Sequence, residues 1–131
     1  MDVISIKDFP GIPIGNAQNI EGGTGCTVIL SESGMCAGLD VRGGGPASRE
    51  SELLNPLANA QTIHAVLLGG GSAFGLDAGG GVMQFLEEKD IGFDVGVTKV
   101  PLVCQSDLFD LTVADPHCRP DKAMGYEACK N

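Results

Sequence analysis

The sequence predicts an α/β fold, and three features carry that expectation. His64-Ala-Val-Leu-Leu68 is a continuous apolar run of strand length, typical of a strand buried on both faces. It passes through Gly69-Gly-Gly71 into a segment whose apolar residues recur at helical spacing. Pro120 to Lys130 then reads as a second helix, so strand-like and helix-like stretches alternate along the chain.

Taken in order, Phe9-Pro-Gly-Ile-Pro-Ile-Gly15 has Pro and Gly at two positions each and is expected to be an extended loop feeding a strand. Cys26-Thr-Val-Ile-Leu30 is a short β-branched run, Ser33-Gly34 signals a turn, and Met35 to Val41 reads as a returning strand. The expectation is therefore a hairpin over 26–41, broken by Gly43-Gly-Gly-Pro46. Ser48 to Leu54 reads as one or two helical turns, capped by Ser48 and stopped by Asn55-Pro56.

From Ser72 the pattern is helical, with Phe74, Val82, Phe85 and Leu86 on one face. Gly79, Gly80 and Gly81 each weaken that helix by up to ~1 kcal/mol relative to Ala. Small residues at 75 and 79 imply close approach of another backbone, and Gly92 is expected to end the element. Ile91 to Leu111 accommodates one or two further strands and a turn, and Pro120 occupies the first turn of the last helix.

Apolar residues make up 43% and charged residues 19%, which argues against disorder. The 20 glycines cluster between strand-like runs with no collagen-like period, so they answer to backbone geometry. A net charge of −9 repels phosphate backbones and anionic lipid, so no nucleic-acid or membrane partner is expected. No apolar run approaches the ~20 residues that span a bilayer, and Met1-Asp2 opens the chain without a signal-peptide pattern. Five cysteines without C-x-x-C spacing read as reduced thiols, and the expected location is cytoplasmic.

The Gly69–Gly81 region invites a nucleotide-binding reading, but the fingerprints fail. G-x-G-x-x-G from Gly69 meets Phe74 at its last position, and a phosphate loop from Gly70 finds Leu76-Asp77 in place of Lys-Ser/Thr. A Gly-rich turn that lets strand and helix pack closely explains the same residues. His64 and the adjacent His117-Cys118 form no metal-ligand spacing, so neither metal nor cofactor is expected. A nucleophilic pair of Cys104 or Cys118 with His117 stays open beside the commoner reading of inert buried thiols. Asp107 and Asp110 interrupt an apolar stretch. With strand alternation, Asp107, Phe109 and Leu111 share one face. A carboxylate beside an aromatic there suits a substrate ammonium, and a strand-end Asp capping a loop is the alternative.

Several strings occur in a familiar order. They are Gly23-Thr-Gly-Cys-Thr-Val28, Gly38-Leu-Asp-Val-Arg-Gly43, Gly45-Pro-Ala-Ser-Arg-Glu50 and His64 through Gly69-Gly-Gly-Ser-Ala-Phe-Gly-Leu-Asp-Ala78. Val100-Pro-Leu-Val103, Leu108-Phe-Asp-Leu111 and Arg119-Pro-Asp-Lys-Ala-Met-Gly-Tyr126 follow. Together they resemble the amino-terminal part of the large subunit in the L-aminopeptidase D-amidase/D-esterase family. That family includes beta-peptidyl aminopeptidases and 6-aminohexanoate-oligomer hydrolases. The resemblance implies a four-layer α/β/β/α sandwich like that of amino-terminal nucleophile hydrolases but with different connectivity. Residues 1–131 would be a single partial domain of it.

It also implies a self-cleaving precursor that frees a Ser or Thr, whose hydroxyl attacks an amide or ester and whose own α-amine serves as base. That nucleophile would lie beyond Asn131, so no catalytic residue is expected in this chain. By the same resemblance Asp107 takes the place of a Glu that grips the substrate's amine. Phe109 takes the place of a substrate-positioning Tyr, without its hydroxyl, and Gly70, Gly71 and Ser72 shape the pocket. The implied substrate is a small peptide, amide or ester. The implied partners are the remaining, nucleophile-bearing part of the precursor and further copies in a homo-oligomer. The alternative is a non-catalytic truncated fragment that oligomerises or binds a partner through uncovered strand edges.

Overall fold

The computed structural model describes residues 3–131. A five-stranded mixed sheet carries two helices on one face, giving two of the layers an α/β fold requires. In chain order the elements are β1 (Ile14–Asn19), β2 (Thr24–Met35), β3 (Ala47–Arg49), β4 (Ile63–Gly69), α1 (Ala78–Glu87), β5 (Phe93–Asp94), β6 (Lys99–Val100), β7 (Val103–Asp107) and α2 (Lys122–Lys130). The sheet order is β1-β2-β4-β7-β3, and β5 with β6 forms a separate small hairpin. Among the described residues only β4 and β7 run parallel, joined by the crossover that contains α1.

The core lies between sheet and helices. Cys26, Val28 and Leu30 of β2, Ala65 and Leu67 of β4, and Val103 of β7 alternate inward and meet Ala78, Val82, Leu86 and Ala128 of the helices. The opposite face of the sheet is barer. Leu68 of β4 is 48% exposed, so the apolar run 64–68 is not enclosed on both faces by residues 3–131.

The expected hairpin over 26–41 does not form. Instead β2 pairs with β1 before it and with β4 after it, and residues 36–46 carry no strand. Gly34 does adopt a left-handed φ of +83°, but it serves a register shift between Leu30 and Met35, after which Met35 rejoins β4 opposite Ile63. The real turn lies earlier, at Ile20–Gly23, where the Asn19 side chain accepts from the Gly22 N–H at 2.8 Å. Over 48–54 the expectation holds in part. Ser48 belongs to β3 rather than to a cap, Glu50 turns the chain at a φ of 56°, and a 3₁₀ turn spans Ser51–Leu54.

The helix after the Gly-rich turn opens as a 3₁₀ segment, Ser72–Asp77, before α1. Val82 and Leu86 are core residues, whereas Phe74 faces outward with the Arg119 guanidinium 3.7 Å from its ring centre. The close approach of another helix's backbone occurs at Gly81, two residues beyond Gly79. A methyl group on Gly81 would overlap the Lys122 carbonyl of α2, and one on Gly125 would overlap the Ala78 carbonyl of α1. The two helices therefore touch backbone to backbone. Gly75 meets instead the Gly70 carbonyl of its own turn, and Gly79 faces the Gln105 and Arg49 side chains.

Gly92 does not end α1. Asp90 takes the left-handed turn at a φ of 57° and the Ile91 N–H returns to the Leu86 carbonyl, while Gly92 lets the chain press against Val100 and Pro101. At α2 the cap is Asp121, whose carboxylate accepts from the Met124 N–H at 2.8 Å, which puts Pro120 just outside the helix.

Candidate functional site

At the carboxyl ends of the parallel strands β4 and β7 the chain leaves a groove of about 780 Å³. Ligand sites in open α/β sheets form at such ends. Its floor is the end of β1 and the start of β2, and its rim is Leu68–Gly70 and Ser106–Leu108 with Asp110. Among its lining residues the ionisable groups are two carboxylates, Asp107 and Asp110, and the Cys26 thiol; no Lys, Arg or His lines it.

Asp110 holds the turn. It accepts from the Thr24 hydroxyl at 2.7 Å and from the Gly71 N–H at 2.7 Å, tying the Gly-rich turn to β2. The neighbouring amides are engaged as well: Gly70 N–H donates to the Gly25 carbonyl and Ser72 N–H to the Leu108 carbonyl. The Gly70–Ser72 turn thus gives the groove shape and keeps no backbone donor free for a ligand. Gly71, with a φ of 82°, and Ser72, with a φ of 55°, lie behind the groove wall, while Gly70 lines it.

Asp107 is the last residue of β7, opposite Gly69 of β4. Its carboxylate fits because two neighbours lack side chains. A methyl on Gly69 would sit 2.6 Å from Oδ1, and one on Gly75 would sit 3.1 Å from Oδ2. The Gln105 side-chain amide donates to both carboxylate oxygens, at 3.0 and 3.1 Å. Burial raises the Asp107 carboxyl above its ordinary range, the Gln105 donation opposes that rise, and the Asp110 charge adds to it. The Cys26 thiol is pushed up to about 11, chiefly by burial and then by the charges of Asp107 and Asp121. It is a poor nucleophile as it stands.

The strand-face pairing of Asp107 with Phe109 is not realised. β7 ends at Asp107, and Phe109 follows in a loop, 67% exposed and outside the groove lining. The structure thus brings Gly70 and Asp107 to one groove and leaves Gly71, Ser72 and Phe109 around it. Cys104 is buried on β7, its thiol bonded to the Glu50 carbonyl at 3.7 Å and raised by burial, the reverse of nucleophile activation. Among the described residues no group of three His, Cys, Asp or Glu side chains is placed to hold a metal ion. No described helix is long and apolar enough to cross a membrane. Gln105 was not singled out from sequence, although the alternation Val103, Gln105, Asp107 puts all three on the same strand face.

A model of peptidase family S58 matches residues 5–130. An uncharacterized aminopeptidase of Mycobacterium leprae is 42% identical over 134 residues, an overlap of 96% of this chain and 37% of that protein. One from Mycobacterium tuberculosis is 42% identical over 135 residues, 95% of this chain and 39% of its own length. A 6-aminohexanoate-oligomer endohydrolase of a Kocuria species is 35% identical over 121 residues, 92% of this chain and 32% of the enzyme. The chain therefore spans well under half the length of these curated relatives.

Proposed function

The chain belongs to peptidase family S58, and from that premise we propose that it is one part of a self-processing hydrolase acting on the amino-terminal residues of peptides, amides or esters. In this reading the nucleophile is a Ser or Thr freed by self-cleavage and lies outside residues 1–131. Its hydroxyl adds to the substrate carbonyl, and its α-amine takes up the proton and returns it to the leaving group. The donors that hold the oxyanion also belong to the rest of the protein, because the amides of the Gly70–Ser72 turn are already engaged.

This chain's own contribution is the recognition of the substrate's free amine. The observation that carries it is Asp107 itself, a lining residue of a groove with no cationic side chain among the residues that line it. Its one side-chain donor, Gln105, leaves lone pairs for an ammonium group. Asp110 ties Thr24 of β2 to the Gly-rich turn through Gly71, a structural task that Asp107 does not share, so Asp107 is taken as the anchor.

In this reading the remaining sheet and helix layers of the four-layer sandwich would cover the bare face of the sheet, and the half-exposed Leu68 supports it. The same face favours a second reading, a non-catalytic piece that associates with copies of itself or with a partner. We place the protein in the cytoplasm, where its five free thiols stay reduced. Intact mass and amino-terminal sequencing of the purified gene product separate the two readings. A second polypeptide that begins with Ser or Thr supports the hydrolase, and a single 13.5 kDa species supports the fragment. For the anchor, Asp107→Asn is expected to raise KM for free-amine amides about tenfold or more and to leave amine-blocked amides nearly unaffected. Equal effects on both substrates would remove Asp107 from the site.

A further inference from the structure

Gln105 occupies a position that chemistry alone would give to an aliphatic residue. It is 2% exposed, it sits on the helix-facing side of β7 between Val103 and Asp107, and its strand neighbours are the fully buried Leu67 and, on the other side, Arg49. Its amide nitrogen is well used, donating to the Gly75 carbonyl at 2.8 Å and to both oxygens of Asp107. Its amide oxygen Oε1 has no hydrogen-bond partner. Exchanging oxygen and nitrogen is no remedy, because the oxygen would then face three acceptors. An unmet buried acceptor costs stability, and a Leu or Met of similar volume would avoid that cost. Packing therefore does not account for the residue.

What Gln105 does achieve is a link between a groove-lining residue and a turn outside the lining. One amide nitrogen connects the 3₁₀ turn that follows the Gly-rich loop, through Gly75, with the carboxylate at the end of β7. The absence of a Cβ at Gly79 makes room for the amide, since a methyl there would lie 2.6 Å from Oε1. Both oxygens of Asp107 share the one donor, at 3.0 and 3.1 Å, so the carboxylate is held at two points while lone pairs remain that Gln105 does not meet.

We propose that Gln105 is a positioning residue for substrate recognition: through its amide it sets the direction in which Asp107 presents its carboxylate to the substrate's ammonium group. This rests on the reading of Asp107 as the amine anchor, and it adds a determinant of selectivity for free-amine substrates that lies out of reach of the substrate itself.

The test is a double-mutant cycle on the complete, active gene product with Gln105→Met, Asp107→Asn and the two combined. Initial rates are measured on an amino-acid amide and on its N-acetylated counterpart. Gln105→Met keeps the length of the side chain and removes its donor, and Gln105→Leu serves as the second variant should Met pack badly. The expected result is a KM for the free-amine amide raised about tenfold, with kcat within about twofold and the acetylated substrate unaffected. In the Asp107→Asn background the effect of Gln105→Met should vanish. A purely structural role would change both substrates alike and would persist in that background, and either outcome overturns the proposal. If Asp107→Asn discriminates the substrates and Gln105→Met does not, the positioning role fails while the anchor stands. If Asp107→Asn itself does not discriminate, the anchor fails first.

Discussion

Two adjacent glycines of α1 should respond to the same substitution with opposite signs. Replacing Gly by Ala inside a helix gains up to ~1 kcal/mol from backbone propensity alone. At Gly80 nothing opposes that gain: an added methyl finds only the Lys122 side chain, at 3.8 and 3.9 Å. At Gly81 the methyl would lie 2.6 Å from the Tyr126 amide nitrogen and 2.9 Å from the Lys122 carbonyl carbon, and it would overlap the Lys122 oxygen. These are backbone atoms of α2 and cannot swing aside, so the helices must separate. Overpacking of this kind costs typically 1–3 kcal/mol, and the upper end applies where backbone blocks relief. Set against the propensity gain, Gly81→Ala should lose about 2 kcal/mol while Gly80→Ala gains up to about 1. Urea denaturation followed by far-UV circular dichroism reads the difference as shifts of the midpoint in opposite directions at constant m. Two shifts of the same sign would refute the backbone contact between α1 and α2.

Two further outcomes follow from titrating groups. His64 is buried with its Nδ1 accepting from the Leu102 N–H at 3.2 Å, and burial lowers its pKa. Below about pH 6.5 the unfolded chain binds a proton that the folded chain refuses, so stability falls with pH by up to ~1.4 kcal/mol per unit until the folded pKa is reached. Urea midpoints at pH 7.5 and 5.5 should therefore differ more for the wild type than for His64→Asn. Cys26 and Cys129 are pushed up to about 11 and about 12, mainly by burial, whereas Cys36 is exposed. Iodoacetamide at neutral pH should alkylate Cys36 well before Cys26 or Cys129, as read by peptide mass mapping.

The elements with strong local signals were legible in the sequence. β4 and α1 lie where their apolar patterns put them, through Leu67, Val82 and Leu86, and α2 follows the Pro120 that signalled its start. The turn chemistry was less legible. Ser33-Gly34 and Gly92 looked like a hairpin turn and a helix stop, but Gly34 eases a bulge and Gly92 a close contact, while Asn19 and Asp90 do the turning. A single residue type serves each of those geometries, and only long-range pairing selects among them. The groove shows the same division. Asp107 stands out as a charge in an apolar run, yet the room it occupies is created by Gly69 and Gly75, and its donor is a Gln two residues back. Those relations depend on the β4–β7 register, which no local pattern encodes.

The contact of α2 with the far edge of the sheet has a kinetic side. Gly15 of β1 lies beneath the Ala128 carbonyl, Cys26 of β2 donates to the Met124 carbonyl at 3.8 Å, and the Asn131 amide donates to the Asn16 carbonyl at 3.0 Å. Each of these contacts joins residues about a hundred positions apart in sequence, so loop closure must precede the reward it brings. During synthesis the β1–β2 hairpin emerges first, yet its helix-facing side stays bare until the last turn of α2 has cleared the ribosome. The apolar stripe Cys26, Val28, Leu30 is thus without its helix cover while roughly a hundred further residues are made, and in that interval a chaperone has this stripe to shield.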